Sequence, residues 1–263
     1  MSAGGGGIGL VGLLVILGIG WFFGIDVTPL LQGGAGVQQS GEVELTEADE
    51  RAGQFVAVTL ADTEEVWADI FARQVGQPYE PATLVLFKGV TQSPCGGASG
   101  ATGPFYCPAD EKAYLDTAFF TTLERRMGAG GDFAAAYVVA HEIAHHVQNE
   151  LGILGQANRI RGQVSQAEAN GISVRIELQA DCFSGIWARQ AEAKFGSLEP
   201  GDIEEAMNAA KQIGDDTLQR SAGRVPQPHT FTHGTSEQRQ WWFRTGYQTG
   251  DIRACDTFSA DRL

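Results

Sequence analysis

Residues 132–152 read DFAAAYVVAHEIAHHVQNELG, and this stretch decides how the chain folds. Good helix formers fill it, Asp132 stands at its head as a candidate N-cap, and Gly152 closes it, so it predicts one helix. Within it lies His141-Glu142-Ile143-Ala144-His145. Side chains four residues apart share a helix face, about 40° apart around the axis. His141 and His145 can therefore aim one ring nitrogen each at a common ion, at the ~2.0–2.1 Å that zinc takes to imidazole. Glu142 lies one residue round from His141, within reach of a water beside the ion without ligating it. Hydrolysis needs that division of labour: a metal ion acidifies water, and a carboxylate takes up the proton as the water attacks a carbonyl. A helix with a merely structural histidine pair is the plain alternative. With five histidines in 263 residues, chance places this pattern in fewer than about one such chain in a hundred.

A catalytic zinc has three protein ligands and one open position, so a third ligand is required. Glu177-Leu178-Gln179-Ala180-Asp181 follows His145 by 32 residues, enough for a loop and an antiparallel return on a second helix. That helix is expected over 165–195, with Gly171 weakening it but not ending it. Glu177 and Asp181 are again four apart. We assign Glu177 as the third ligand, and Asp181 as the group that holds His141 through its far N–H, at Nδ1. A solvated acidic face is the common alternative for such a pair. Ile176, Leu178, Ala180, Cys182 and Phe183 around it argue for a buried segment instead.

Working outward, a helical pattern runs over 46–60, and Asp62 with Glu65 reads as a capping box opening another helix over 62–74. ATLVLFKG after Pro81 is a short apolar run suited to a buried strand. FYC and AYLD read as strands around the polar turn at 108–112, and a short helix is expected over 119–127. Further helices are expected over 202–219 and 235–247, with Gln238 completing a capping box from Thr235. No internal repeat is visible. The fold class is α+β: a mainly helical domain with a small β-sheet just before the HExxH helix.

The start of the chain differs in kind. Twelve of the 35 glycines fall in the first 36 residues, which carry one charge, Asp26. Residues 8–25, IGLVGLLVILGIGWFFGI, are uncharged and as a helix would span about 27 Å, enough for a hydrocarbon core. Trp21, Phe22 and Phe23 stand near one end, where aromatic rings favour the headgroup zone. A cleaved signal peptide would carry a basic n-region, but Arg51 is the first Lys or Arg in the chain. A buried core helix would be weakened by the five glycines of this segment. The expected organisation is a single-pass transmembrane anchor over 1–31, a flexible linker over 32–45, and the metallopeptidase domain over 46–263. The missing basic residues leave the positive-inside rule silent on orientation.

Eighteen Lys+Arg against 32 Asp+Glu leave a net charge of −14. With no basic cluster, that balance excludes nucleic acid as a partner. The four cysteines contain no CxxC pair, so no zinc knuckle is expected. If all four are bonded, three pairings are possible. The favoured one joins Cys95 to Cys107 around a glycine-rich loop and Cys182 to Cys255, beside the Glu177 helix. Four reduced thiols in a cytosolic protein are the alternative, but disulfides behind an anchor suit an extracytoplasmic body.

HExxH followed by ExxAD resembles the gluzincin arrangement shared by thermolysin-like peptidases and the membrane-bound prenyl-protein endopeptidases. More closely, GPFYCPAD (103–110), YVVAHEIAHHVQ (137–148), SVRIELQADCFSG (173–185) and FTHGTSEQR…WWFRTGYQTGDIRACDTF (231–258) together resemble the bacterial family called putative neutral zinc metallopeptidases. The resemblance runs from about residue 40 to the end and includes the hydrophobic start. It implies a zinc peptidase anchored in the bacterial cell membrane, with Zn2+ as cofactor and a protein or peptide substrate. Related gluzincins carry a histidine followed by Glu and Arg, matched here by His233, Glu237 and Arg239, with Gly234 where the relatives have proline. The match makes His233 a candidate to steady the oxyanion by donating a hydrogen bond; a capping or buried structural histidine is the alternative. His146 shares the stripe of Glu142 and is expected to support the site, since a fourth ligand would close the open position. His229, in a proline-flanked loop, is expected to be exposed. Phe105 and Tyr106 are candidates to line the cleft, where a gluzincin strand pairs with extended substrate; a core role for Tyr106 is the alternative.

The expected function is a zinc-dependent peptidase that hydrolyses peptide bonds at an extracytoplasmic membrane face. Its rival is a non-hydrolytic, metal-containing envelope binding or scaffold protein, and a structural zinc with four protein ligands is a third reading. Glu142 weighs for the enzyme, because a binding module has no evident use for a carboxylate between two ligands.

Overall fold

The computed structural model describes residues 25–26, 46–99 and 103–263. Apart from Ile25, the expected membrane helix lies outside the described residues, as does the expected linker. Ile25 and Asp26 form the two-residue strand β1 (Ile25–Asp26). Among the described residues, no helix is long and apolar enough to cross a membrane.

Thr46 opens the first helix, α1 (Glu47–Ile70), through a capping box in which its side chain and that of Asp49 each bond the other's backbone N–H. The helix then runs without a break, so the second start expected at Asp62 does not occur. Nothing between Leu60 and Asp62 breaks a helix, and the Thr63 hydroxyl bonds back to the Leu60 carbonyl at 2.6 Å, as it would in mid-helix. A π-turn over Phe71–Val75 and a left-handed Gly76 end it.

Strands β2 (Thr83–Phe87), β3 (Val90–Ser93), β4 (Gly96–Ser99), β5 (Phe105–Cys107) and β6 (Lys112–Asp116) follow. One sheet has the order β1-β2-β6-β5, and β3 with β4 makes a separate hairpin. β2 lies parallel to β1 and β6, whereas β5 and β6 are antiparallel around the expected turn. The alternation of β2 explains its unbroken apolar run. Leu84 and Leu86 join the main core with Ala113 and Leu115, while Val85 and Phe87 form a second cluster with Tyr114 and Cys107 on the other face.

The remaining helices are α2 (Thr117–Arg125), α3 (Asp132–Glu150), α4 (Ile153–Arg161), α5 (Gln166–Phe195), α6 (Asp202–Gln212), α7 (Asp215–Ser221) and α8 (Ser236–Thr249). α3 is the HExxH helix. Its N-cap is Gly131, not Asp132, which is the first helical residue. Gly131 sits at φ 111°, and a Cβ there would overlap the Glu205 carboxylate; Glu205 also accepts the Phe133 N–H at 3.3 Å. The neighbouring helix thus supplies the carboxylate expected from Asp132. α3 is buried along most of its length against α1, α5 and α6, and the most extensive helix pairing in the fold is that of α5 with α8.

The single helix expected over 202–219 is two helices, broken at Gly214. The backbone of Ser236 presses on that glycine, where a Cβ would lie 2.5 Å from the Ser236 N atom. The four cysteines form two disulfides, Cys95–Cys107 and Cys182–Cys255, the favoured pairing.

Candidate metal centre

Helices α3 and α5 supply the centre. His141 and His145, one turn apart on α3, hold their rings nearly perpendicular with centroids 4.9 Å apart. From α5, Glu177 places Oε2 at 3.1 Å from His141 Nε2 and Oε1 at 3.5 Å from His145 Nε2. The candidate donor atoms of all three residues lie within 4.8 Å of one another. Tetrahedral ligands at ~2.0–2.1 Å from zinc are separated by roughly 3.3 Å, and the two observed distances bracket that value. Two imidazoles and one carboxylate are also the donor types of a catalytic zinc. The residues fit the ion. The His145 and Glu177 side chains remain 12% and 18% exposed, so the cluster opens to solvent on one side.

Behind it the packing is closed. Asp181 is fully buried, with Oδ1 at 3.0 Å from His141 Nδ1. The contact falls short of a well-aligned hydrogen bond, but the carboxylate stands at close range to the ring. Arg239 of α8 forks across both Asp181 oxygens, at 2.8 Å from Nε and 2.9 Å from Nη2. Tyr137, one turn before His141, donates to Asp181 Oδ1 at 2.5 Å and accepts from Arg239 at 3.2 Å. On the other histidine, His145 Nδ1 meets Gln148 Oε1 at 2.8 Å.

These contacts set the protonation preferences. Burial opposes a charged His141 ring, but Asp181 and Glu177 outweigh it and raise the imidazole to about 10. Burial, joined by the charge of His141, lowers His145 against the pull of Glu177. Burial favours a protonated Glu177, yet His145 and His141 hold its carboxyl well below the usual range. Glu142 behaves differently: burial pushes it up to about 7, against the pull of His141. That value suits a group that must take up a proton and give it back near neutrality.

His233 lies in the loop between a 3-10 turn, Pro228–Thr230, and α8. Its side chain is 49% exposed, and its Nδ1 lies 3.3 Å from Asp215 Oδ1. The break at Gly214 puts Asp215 at the head of α7, where its Oδ2 accepts the backbone N–H groups of Thr232, His233 and Gly234 at 2.8, 2.6 and 3.0 Å. Gly234, at φ 91° with its N–H bonded, stands where a proline can satisfy neither condition. The departure from the gluzincin pattern therefore belongs to this loop geometry. The partial desolvation of the His233 ring is outweighed by Asp215 and Glu177, which raise its pKa.

His146 is buried, with Nδ1 at 3.1 Å from the Tyr106 hydroxyl and Nε2 at 2.8 Å from the Glu80 carbonyl. It ties α3 to β5 and to the segment before β2. Tyr106 is half-buried and spends its hydroxyl on this bond. Phe105 stacks on Tyr114, with centroids 4.9 Å apart. His229 is exposed in the 3-10 turn.

Four residues that shape this centre have no assigned role in the sequence reading: Tyr137, Gln148, Asp215 and Arg239. Tyr137 lies four residues before His141 on the stripe of the two histidines, a signal readable from spacing. Arg239 stands in the FTHGTSEQR match, where nothing local names its partner. Gln148 and Asp215 carry no local signal, because their partners come from the tertiary fold.

A mainly helical domain in which two histidines of one helix meet a carboxylate of another defines the class: an α+β protein with a candidate metal site between two buried helices. The chain belongs to the family described as "Putative neutral zinc metallopeptidase", whose model matches residues 1–258. It is 45% identical over 251 residues to "Uncharacterized protein YpfJ" of Escherichia coli K12, covering 95% of this chain and 86% of that protein. It is 48% identical over 195 residues to "Uncharacterized protein Rv2575" of Mycobacterium tuberculosis H37Rv, covering 70% of this chain and 65% of that one. No solved structure gives a significant match.

Proposed function

We propose that this protein is a zinc-dependent peptidase, with His141, His145 and Glu177 as the metal ligands. The observation that carries the reading is the convergence of the donor atoms of these three residues within 4.8 Å of one another, with the buried carboxylate of Glu142 next to His141 on the same helix. When bound, zinc supplies a Lewis acid that polarises the scissile carbonyl and acidifies water. Glu142 accepts a proton as the water oxygen bonds to the carbonyl carbon. The C–N bond then breaks, and Glu142 passes that proton to the departing nitrogen, leaving an amine and a carboxylic acid that keeps the second water proton. His233 donates a hydrogen bond to the oxyanion from Nε2, while Asp215 holds its Nδ1 side. Asp181 keeps the Nε2 of His141 turned to the ion.

The hydrophobic segment at 8–25 supports a single-pass anchor in a bacterial membrane. Two disulfides support a domain of residues 46–263 on the extracytoplasmic side, where protein or peptide substrates reach it.

The test is Glu142→Gln on the full chain, assayed with labelled casein and for zinc content. The variant should retain one zinc per chain and lose hydrolysis at least about a hundredfold. Undiminished hydrolysis in the variant overturns the role of Glu142. A wild-type protein that holds zinc in an open site and cleaves no member of a broad substrate panel is instead a metal-containing binding protein.

A further inference from the structure

Beyond the cluster itself, a chain of buried amides runs from His145 to the far end of the sequence. His145 Nδ1 meets Gln148 Oε1 at 2.8 Å. Gln148 Nε2 donates to the Ile176 carbonyl at 2.8 Å and to Gln179 Oε1 at 3.0 Å. Gln179 Nε2 donates to the Cys255 carbonyl at 2.9 Å. Both glutamines are buried, so water offers no easy substitute for these partners.

The direction of this chain is not free. A backbone carbonyl can only accept, so Cys255 O obliges Gln179 to present its NH2 group and leaves Gln179 Oε1 facing Gln148. Ile176 O and Gln179 Oε1 then both oblige Gln148 to present NH2 to them. Gln148 Oε1 is left for His145, and it too can only accept. In a neutral ring His145 must therefore carry its proton on Nδ1 and leave the lone pair on Nε2, the nitrogen that faces Glu177. We infer that Gln148 and Gln179 are positioning residues that relay the polarity of the Ile176 and Cys255 carbonyls to His145 and fix its metal-binding tautomer. The two histidines are thus set by different means: His141 by a buried carboxylate, His145 by neutral amides anchored on backbone. Cys255 is bonded to Cys182 on α5, so the disulfide holds the carbonyl that ends the relay.

The inference rests on the reading of His145 as a metal ligand, and two measurements separate the claims. In metal-free, full-length protein with 15N-labelled histidines, long-range proton–nitrogen spectra should show His145 protonated at Nδ1 and bare at Nε2. An Nε2–H tautomer overturns the relay, and no variant is needed to see it. In chelator competition, Gln148→Met should weaken zinc binding by about 10–100-fold. Gln179→Met should weaken it by less than about tenfold, because Ile176 O still orients Gln148. Wild-type affinity in Gln148→Met overturns the relay. Failure of the wild type to take up zinc overturns the metal reading instead, and the tautomer spectrum still decides the relay.

Discussion

Asp181 has no exposed surface, and its charge is balanced by Arg239 on one side and His141 on the other. Removing one partner of a buried pair leaves an uncompensated charge in the interior, at about 3–5 kcal/mol. Arg239→Met is therefore expected to lower stability by that amount, read from urea unfolding. Arg239→Lys is expected to recover little of it, because an ammonium cannot fork across both Asp181 oxygens and reach Tyr137 as well. A lysine variant as stable as wild type would show that charge alone, without the fork, suffices. HExxH and ExxAD are local patterns, and helical spacing alone groups His141 with His145 and Glu177 with Asp181. Arg239 lies 58 residues beyond Asp181, and no spacing rule links the two.

Among the elements, α5 and α8 cross so closely that two glycines form the contact. A Cβ on Gly246 would overlap the Cys182 carbonyl, and one on Gly185 would overlap the Phe243 carbonyl. Overpacking costs about 1–3 kcal/mol in an ordinary core, and backbone against backbone has little room to relax. Gly246→Ala is expected to lose at least that much in urea unfolding and to loosen zinc binding, since α8 carries Arg239. Gly171→Ala makes the control: its Cβ meets nothing within 4 Å, so helix propensity predicts a gain of up to about 1 kcal/mol. Helix propensity in the sequence singles out Gly171, whereas Gly185 is the glycine that matters, because its close neighbours come from α8.

The start of α1 adds a pH dependence. Burial raises the Asp49 carboxyl, but Lys88, Thr46 and Thr117 outweigh it and lower the pKa from 3.8 to about 2. A depressed carboxylate contributes stability above its unfolded pKa and loses it as pH falls through the folded one. The stability gap between wild type and Asp49→Asn should therefore close between about pH 4 and pH 2. A gap that stays constant across that window would assign the effect to the cap geometry alone. Thr46 is legible as a helix start, while the partners Lys88, just after β2, and Thr117, at the head of α2, are brought in by the fold.

For the whole molecule, the two disulfides differ mainly in the length of chain they close. Cys95–Cys107 spans 12 residues and Cys182–Cys255 spans 73, so the chain-entropy model assigns about 3 and about 4 kcal/mol respectively. Cys182→Ala/Cys255→Ala is expected to be the more destabilising double variant in urea unfolding. It is also the one expected to weaken zinc retention, since it frees the Cys255 carbonyl. Equal zinc retention in both double variants would uncouple the C-terminal segment from the site.

Whatever rests on neighbours within about four residues is legible in the amino-acid sequence alone. The helix over the HExxH stretch, the Thr235 cap, the β5–β6 turn and the pairing of the histidines all have that range. The α5–α8 glycine contact, the break at Gly214, Asp215 beneath the His233 loop, Arg239 on Asp181 and the glutamine relay to Cys255 do not. In each of these a side chain or carbonyl gains its meaning from a partner brought in by packing. Helical periodicity shows which face a residue shares, and the fold alone determines what lies opposite that face.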